Sequence, residues 1–109
     1  MGRVEEANEL LNRIKKSSKA PNIYTFTLVM DGFCKVGLTD EAMELLKEAL
    51  EMGLKPNIVT YNSLLNGYCK EGRPLEGFCL LEEMERGDCQ PDFVSYTTLL
   101  RALLMWERV

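Results

Sequence analysis

The groups in this chain with chemistry to offer are four cysteines, a dense set of carboxylates and some short amides and hydroxyls; histidine is absent. Cys34, Cys69, Cys79 and Cys89 form no CxxC pair, so a zinc site would have to gather all four thiolates from unusual spacings. Cys34 and Cys69 instead fall at matching places on an apolar pattern, which predicts buried, reduced thiols and no metal. Glu41, Glu44, Glu48 and Glu51 recur at helical spacing; Glu44 and Glu48, four residues apart, repel each other and describe a wet face rather than a catalytic pair. The chain has no Gly-rich phosphate loop, no HExxH and no GxSxG, so neither an enzyme nor a cofactor is expected. There remain Thr27, Asn57, Asn62 and Asp92. Their short polar groups suit helix capping, ordinary surface polarity, or hydrogen bonding to an external polar edge.

What positions these residues is a repeat. An offset of 35 residues carries Gly2 onto Gly37 and Gly72, and Pro21 onto Pro56 and Pro91. It also aligns Asn22, Asn57 and Asp92, then Phe26, Tyr61 and Tyr96, then Lys35 and Lys70, with no gap anywhere. Each unit contains two amphipathic helices. In the first, Tyr61, Leu64, Leu65 and Tyr68 share one face, as do Phe26, Val29, Met30 and Phe33, and Tyr96, Leu99, Leu100 and Leu103. In the second the stripe is narrower: Ala42, Leu45, Leu46 and Ala49, matched by Ala7, Leu10, Leu11 and Ile14, and by Gly77, Leu80, Leu81 and Met84. Asn57 or Asp92 with Thr60 or Ser95 supplies capping chemistry, and Gly37 and Gly72 end the first helices.

Six helices are predicted, over 3–17, 24–35, 39–52, 59–70, 74–86 and 94–107. The segments are 1–22, the second helix of one unit; 23–57 and 58–92, two complete units; and 93–109, the first helix of another. A helix pair cannot bury its own face, so stacked neighbours must build one continuous core. The expected class is all-α, a right-handed solenoid of helix-turn-helix units. The last helix, "YTTLLRALLMW", is expected to leave Leu99, Leu100 or Leu103 uncovered and to promote self-association.

Hydrophobic residues make up 46% of the chain and charged ones 28%, a globular composition with no run long enough to cross a bilayer. The net charge of −4 argues at first against nucleic acid. Its distribution argues the other way. Acids crowd the second helices, from Glu5, Glu6 and Glu9 to Glu82, Glu83 and Glu85, whereas the first helices carry only Asp31 and Glu107 against Lys35, Lys70, Arg101 and Arg108. A mildly basic layer backed by an acidic one suits a single-stranded polyanion. Lys35 and Lys70 are equally suited to offsetting helix dipoles.

The unit "IVTYNSLLNGYCKEGRPLEGFCLLEEMERGDCQPD" closely resembles the pentatricopeptide repeat in its P-class form, and the resemblance covers the whole chain. The tetratricopeptide repeat differs in length and in a Trp-x-x-Leu-Gly opening missing here. The resemblance implies binding of single-stranded RNA, one base per unit. It places base selection at Thr27 with Asn57, implying adenine, and at Asn62 with Asp92, implying uracil, in a 5′-A-U-3′ order with protein and RNA parallel. Asn22 and Thr97 become half-pairs. Tyr24, Val59 and Val94 match the wedge between successive bases, with Tyr24 departing from the usual aliphatic residue. Lys35 and Lys70 match a phosphate-facing position, where the next unit has Met105. The "NGYCKEG" style is similar to fertility-restorer-like members, which implies a mitochondrial role in RNA processing or stability, with the chloroplast as the alternative. A peptide-binding scaffold of tetratricopeptide type is the competing expectation, motivated by the net acidity. Two base contacts and two lysines imply negligible RNA affinity for these 109 residues alone.

Overall fold

The computed structural model describes residues 2–16 and 22–107; within the first and last helices the side chains of residues 2–4, 7, 14, 15, 106 and 107 are outside the description. The helices are α1 (Gly2–Lys16), α2 (Ile23–Lys35), α3 (Thr39–Glu51), α4 (Ile58–Lys70), α5 (Pro74–Arg86) and α6 (Phe93–Glu107), each within one residue of the expected bounds. No strand occurs among the described residues. Pro21 and Arg108, and the side chains of Ala7, Ile14 and Trp106, fall outside the description.

Local chemistry sets the boundaries. Asn22 and Asn57 cap α2 and α4 by accepting the amides of Thr25 and Thr60 at 3.0 and 3.1 Å. Gly37 and Gly72 follow α2 and α4 with φ of 82° and 72°, a left-handed conformation that costs a residue without Cβ little. There the chain turns back, and the Leu38 amide reaches the Phe33 carbonyl at 2.8 Å. α3 begins without a side-chain cap of its own unit. Glu71 of the next unit supplies one, accepting the Thr39 amide at 2.9 Å and the Thr39 hydroxyl. The matching helix α5 starts at Pro74, which has no amide hydrogen to satisfy.

The apolar stripes meet in one core: Phe26, Met30, Phe33, Ala42, Leu45, Leu46, Leu64, Leu65, Leu80, Leu81 and Met84 are all buried. Adjacent first helices approach closely, α2 on α4 and α4 on α6, whereas among the described residues the backbones of the second helices α1, α3 and α5 do not approach one another. The stack is therefore splayed on the second-helix side, and the first helices line its inner face. An open groove of about 400 Å³ between α1 and α3 records the splay and is edged by Glu41, Glu44, Glu48 and Glu51.

Two expectations change in detail. Cys34 is buried and Cys69 half-buried, but Cys79 is exposed and Cys89 partly so, because only the first pair sits on a stripe. At the C-terminal end Leu99 is buried beside Gly77 while Leu100 is 59% exposed, since α5 covers one edge of α6 only.

Candidate nucleic-acid interface

The inner face carries the polar residues singled out above, and the fold brings them together in pairs. The capping geometry does the positioning. Asn57 holds Oδ1 toward the start of α4, where the Thr60 amide (3.1 Å) and hydroxyl (3.2 Å) donate to it. The Thr60 hydroxyl oxygen in turn accepts the Thr27 hydroxyl at 2.7 Å, and the Thr27 oxygen also lies 2.7 Å from the Ile23 carbonyl. Thr27 and Asn57 are thus linked through a fully buried threonine.

The next pair meets directly. Asn62 Nδ2 donates to Asp92 Oδ1 at 3.3 Å, and Asn62 Oδ1 accepts the hydroxyl of buried Ser95. Asp92 Oδ1 also accepts the Ser95 amide at 3.0 Å and shares the single Ser95 hydroxyl proton, at 3.1 Å, with Asn62. The Ser95 amide is the chief reason the Asp92 carboxyl lies below its ordinary pKa, with Asn62 and the Ser95 hydroxyl assisting against some desolvation. Asp92 is an ionised acceptor at neutral pH.

Asn22 caps α2 in the same manner, and Thr97 occupies the Thr27 and Asn62 register on α6. Tyr24 and Val59 stand proud of the surface, 75% and 59% exposed, with Val94 exposed at the next step. Between Tyr24 and Val59 runs an open slot of about 530 Å³, lined also by Thr27, Leu28, Asp31, Asn57 and Ser63. An apolar residue on either side and short polar groups in the lining suit a planar heterocycle with a hydrogen-bonding edge.

Lys35 and Lys70 are exposed in the last turns of α2 and α4. They are not equivalent: Lys35 Nζ lies 3.1 Å from Asp31 Oδ2, whereas no ion pair to Lys70 is found among the described residues. Sequence reasoning assigned Thr60 and Ser95 to capping and missed their second role as bridges between the paired residues. A signal for them existed, since a hydroxyl residue recurs at 25, 60 and 95. Asp31, Leu28 and Ser63 as lining residues were also missed, because lining depends on how neighbouring helices are splayed. Among the described residues no cluster of His, Cys, Asp and Glu is arranged to hold a metal.

No curated protein matches the chain. A sequence model of the PPR repeat family matches residues 1–35, 21–70 and 56–105. Among solved structures, the pentatricopeptide repeat protein PPR10 from maize is similar over 96% of this chain at 29% identity and a TM-score of 0.87. PPR10 in complex with an 18-nt psaJ RNA element is similar over the same share, at 29% identity and a TM-score of 0.88. The present chain spans only 15% and 16% of those two chains.

Proposed function

The chain belongs to the PPR repeat family, and from that premise we propose that its inner face binds single-stranded RNA sequence-specifically, with one base per unit. The observation that carries this reading is the pairing of Asn62 with Asp92 at 3.3 Å and of Thr27 with Asn57 through Thr60, beside an open slot between two exposed wedges.

The caps give the reading a chemical direction. Oδ1 of Asn57 and of Asp92 is occupied by helix amides, so the group left for a ligand is the amide Nδ2 of Asn57 and the carboxylate Oδ2 of Asp92. Asn57 is thereby a donor and suits a base with an acceptor at the centre of its pairing edge, as adenine has at N1. Asp92 is an acceptor and suits a base with an N–H there, as uracil has at N3. Thr27 is short and leaves room for a purine; Asn62 reaches further and favours a pyrimidine. The unit 23–57 is accordingly assigned adenine and 58–92 uracil, read 5′ to 3′ along the chain. Lys35 and Lys70 stand at the position assigned to the phosphate path. We place the chain among P-class, fertility-restorer-like members acting in organellar RNA processing or stability, in mitochondria before chloroplasts, on the style of its repeats.

The test exploits the gapless period. Residues 23–92 repeated in tandem preserve the 35-residue register, and such an array should select alternating A-U RNA. Replacing Asn62 by Thr in every copy should move the preference from uracil toward guanine, since Asp92 still demands an N–H and the shorter residue admits a purine. An unaltered uracil preference would sink the assignment.

A further inference from the structure

Residues 31, 66 and 101 occupy one register of the first helices, one turn before residues 35, 70 and 105 on the same face. Unlike the apolar stripe they differ completely: Asp31, Asn66, Arg101. Asp31 lines the slot between Tyr24 and Val59, so this register borders the path of any strand lying in it.

We propose that this register grades the phosphate-facing charge of the groove from unit to unit: Asp31 neutralises Lys35, Asn66 leaves Lys70 bare, and Arg101 supplies the cation that Met105 lacks. The proposal rests on the reading of the inner face as an RNA groove, and goes beyond it by making Lys35 silent and Arg101 a phosphate contact.

In the first unit the ammonium of Lys35 is 3.1 Å from Asp31, as near as a phosphate oxygen would be. Both side chains are substantially exposed, so the pair itself is weak and easily opened. Opening it does not remove the carboxylate, which stays beside the slot and repels the phosphate that Lys35 would attract. The unit offers a strand no net charge. In the second unit Asn66 is neutral, and Lys70 pairs with no carboxylate among the described residues. In the third, Met105 is an exposed thioether where the earlier units have lysine. Arg101 is exposed on the same face and likewise has no ion-pair partner among the described residues. A guanidinium on three methylenes spans the missing turn and binds phosphate in a bidentate fork.

A second, independent feature agrees. The unit whose lysine is neutralised is the one whose wedge is aromatic: Tyr24 stands where Val59 and Val94 stand in the others. Base–aromatic stacking is sequence-tolerant and nearly independent of salt, whereas phosphate contacts weaken as counterions compete. The first unit holds its nucleotide by stacking, and the next two hold theirs by charge.

The tandem array of residues 23–92, closed by one copy of residues 93–109, serves for the test, because two units alone bind negligibly. The array is titrated against a labelled single-stranded alternating A-U oligoribonucleotide at several salt concentrations, with each substitution made in the last copy and binding followed by fluorescence anisotropy. Lys70→Gln and Arg101→Gln should each weaken binding and flatten the slope of log affinity against log salt by about 0.7, one phosphate contact on a single strand. Lys35→Gln should leave the slope nearly unchanged. Asp31→Asn should tighten binding by about threefold and steepen the slope, and Lys35→Gln should then cost affinity in that background. Equal slope losses from Lys35→Gln and Lys70→Gln, or an unchanged slope with Arg101→Gln, would overturn the proposal. If the unsubstituted array shows no salt-dependent binding, the groove reading itself fails and takes the proposal with it. Thermal unfolding checks that each exposed substitution leaves the fold intact.

Discussion

Two glycines in the same register of neighbouring units show how differently the solenoid uses one residue. A Cβ on Gly67 would lie 2.6 Å from Cys34 Sγ, 2.7 Å from Thr39 Oγ1 and 2.8 Å from Cys34 Cβ. These atoms belong to a buried turn and have nowhere to go. Gly32, one unit earlier, would meet nothing within 4 Å. We expect Gly67→Ala to destabilise the chain by about 1–3 kcal/mol, the range for overpacking a closed site. Gly32→Ala should instead stabilise it by up to about 1 kcal/mol through helix propensity. Urea unfolding of both variants checks the pair; equal responses would contradict the close approach of α2 and α4. Burial raises the Cys34 thiol to a pKa of about 11, so this residue packs against Gly67 as an apolar group and not as a nucleophile. The residues proposed to select bases would carry an analogous double duty. Asn57 and Asp92 are helix caps first, and because capping consumes one oxygen, what each offers a ligand is decided by the other atom.

Between elements, the joint at Glu71 ties α3 to the following unit. Its carboxylate caps α3 through Thr39, while Arg73 bridges Glu71 at 3.0 Å and Asp40 at 2.8 Å, contacts Glu76, and lies 5.0 Å from the centre of the Tyr68 ring. Burial would raise the Glu71 carboxyl, but hydrogen bonds from the Thr39 hydroxyl and amide and from Arg73 outweigh it, and the pKa falls below its ordinary 4.5. A carboxyl depressed in the folded state stabilises fully above its unfolded pKa, and that contribution disappears as pH drops through the folded value. Glu71→Ala should therefore cost about 1–2 kcal/mol at neutral pH, as for loss of a helix cap. The penalty should shrink toward zero as pH falls below 4.5, and denaturant unfolding at pH 7 and at pH 3 measures this. A penalty independent of pH would show that Glu71 acts by packing alone. The previous unit has Val36 in this register, so the joint is particular to one interface of the stack.

On the scale of the whole molecule, helices stack along an extended body of 48 × 34 × 17 Å rather than around a closed centre. Its terminal face therefore stays apolar. Phe78, Leu81, Tyr96, Leu99, Leu100 and Leu103 line a recess of about 270 Å³ on α5 and α6. In the interior of the stack such a face is covered by the second helix of the next unit. We expect the 109-residue chain to self-associate through this recess, with a mass by light scattering that rises with concentration, and Leu100→Glu to restore a monomer. A monomeric mass throughout would exclude it. The same open geometry would limit the affinity of the proposed RNA groove, because the few bases within reach of the described units must offset the whole entropic cost of association.

Repetition made much of this legible in advance. The 35-residue offset, the 3.6-residue stripes and the Asn, Asp and Gly punctuation determine six helices and their two kinds, because each depends on contacts within a few residues along the chain. The candidate base-selecting residues were also legible, as polar differences at places where the apolar pattern holds constant. Tertiary structure decided the rest, because it depends on the relative tilt of helices that no local pattern records. Among the described residues the first helices approach one another closely and the second helices do not, so the first-helix layer faces inward. Thr60 and Ser95 became bridges, Asp31 came to line the slot, and Glu71 reached across to cap α3. Each of these contacts joins residues separated along the chain or selects among several within reach, and only packing makes that choice.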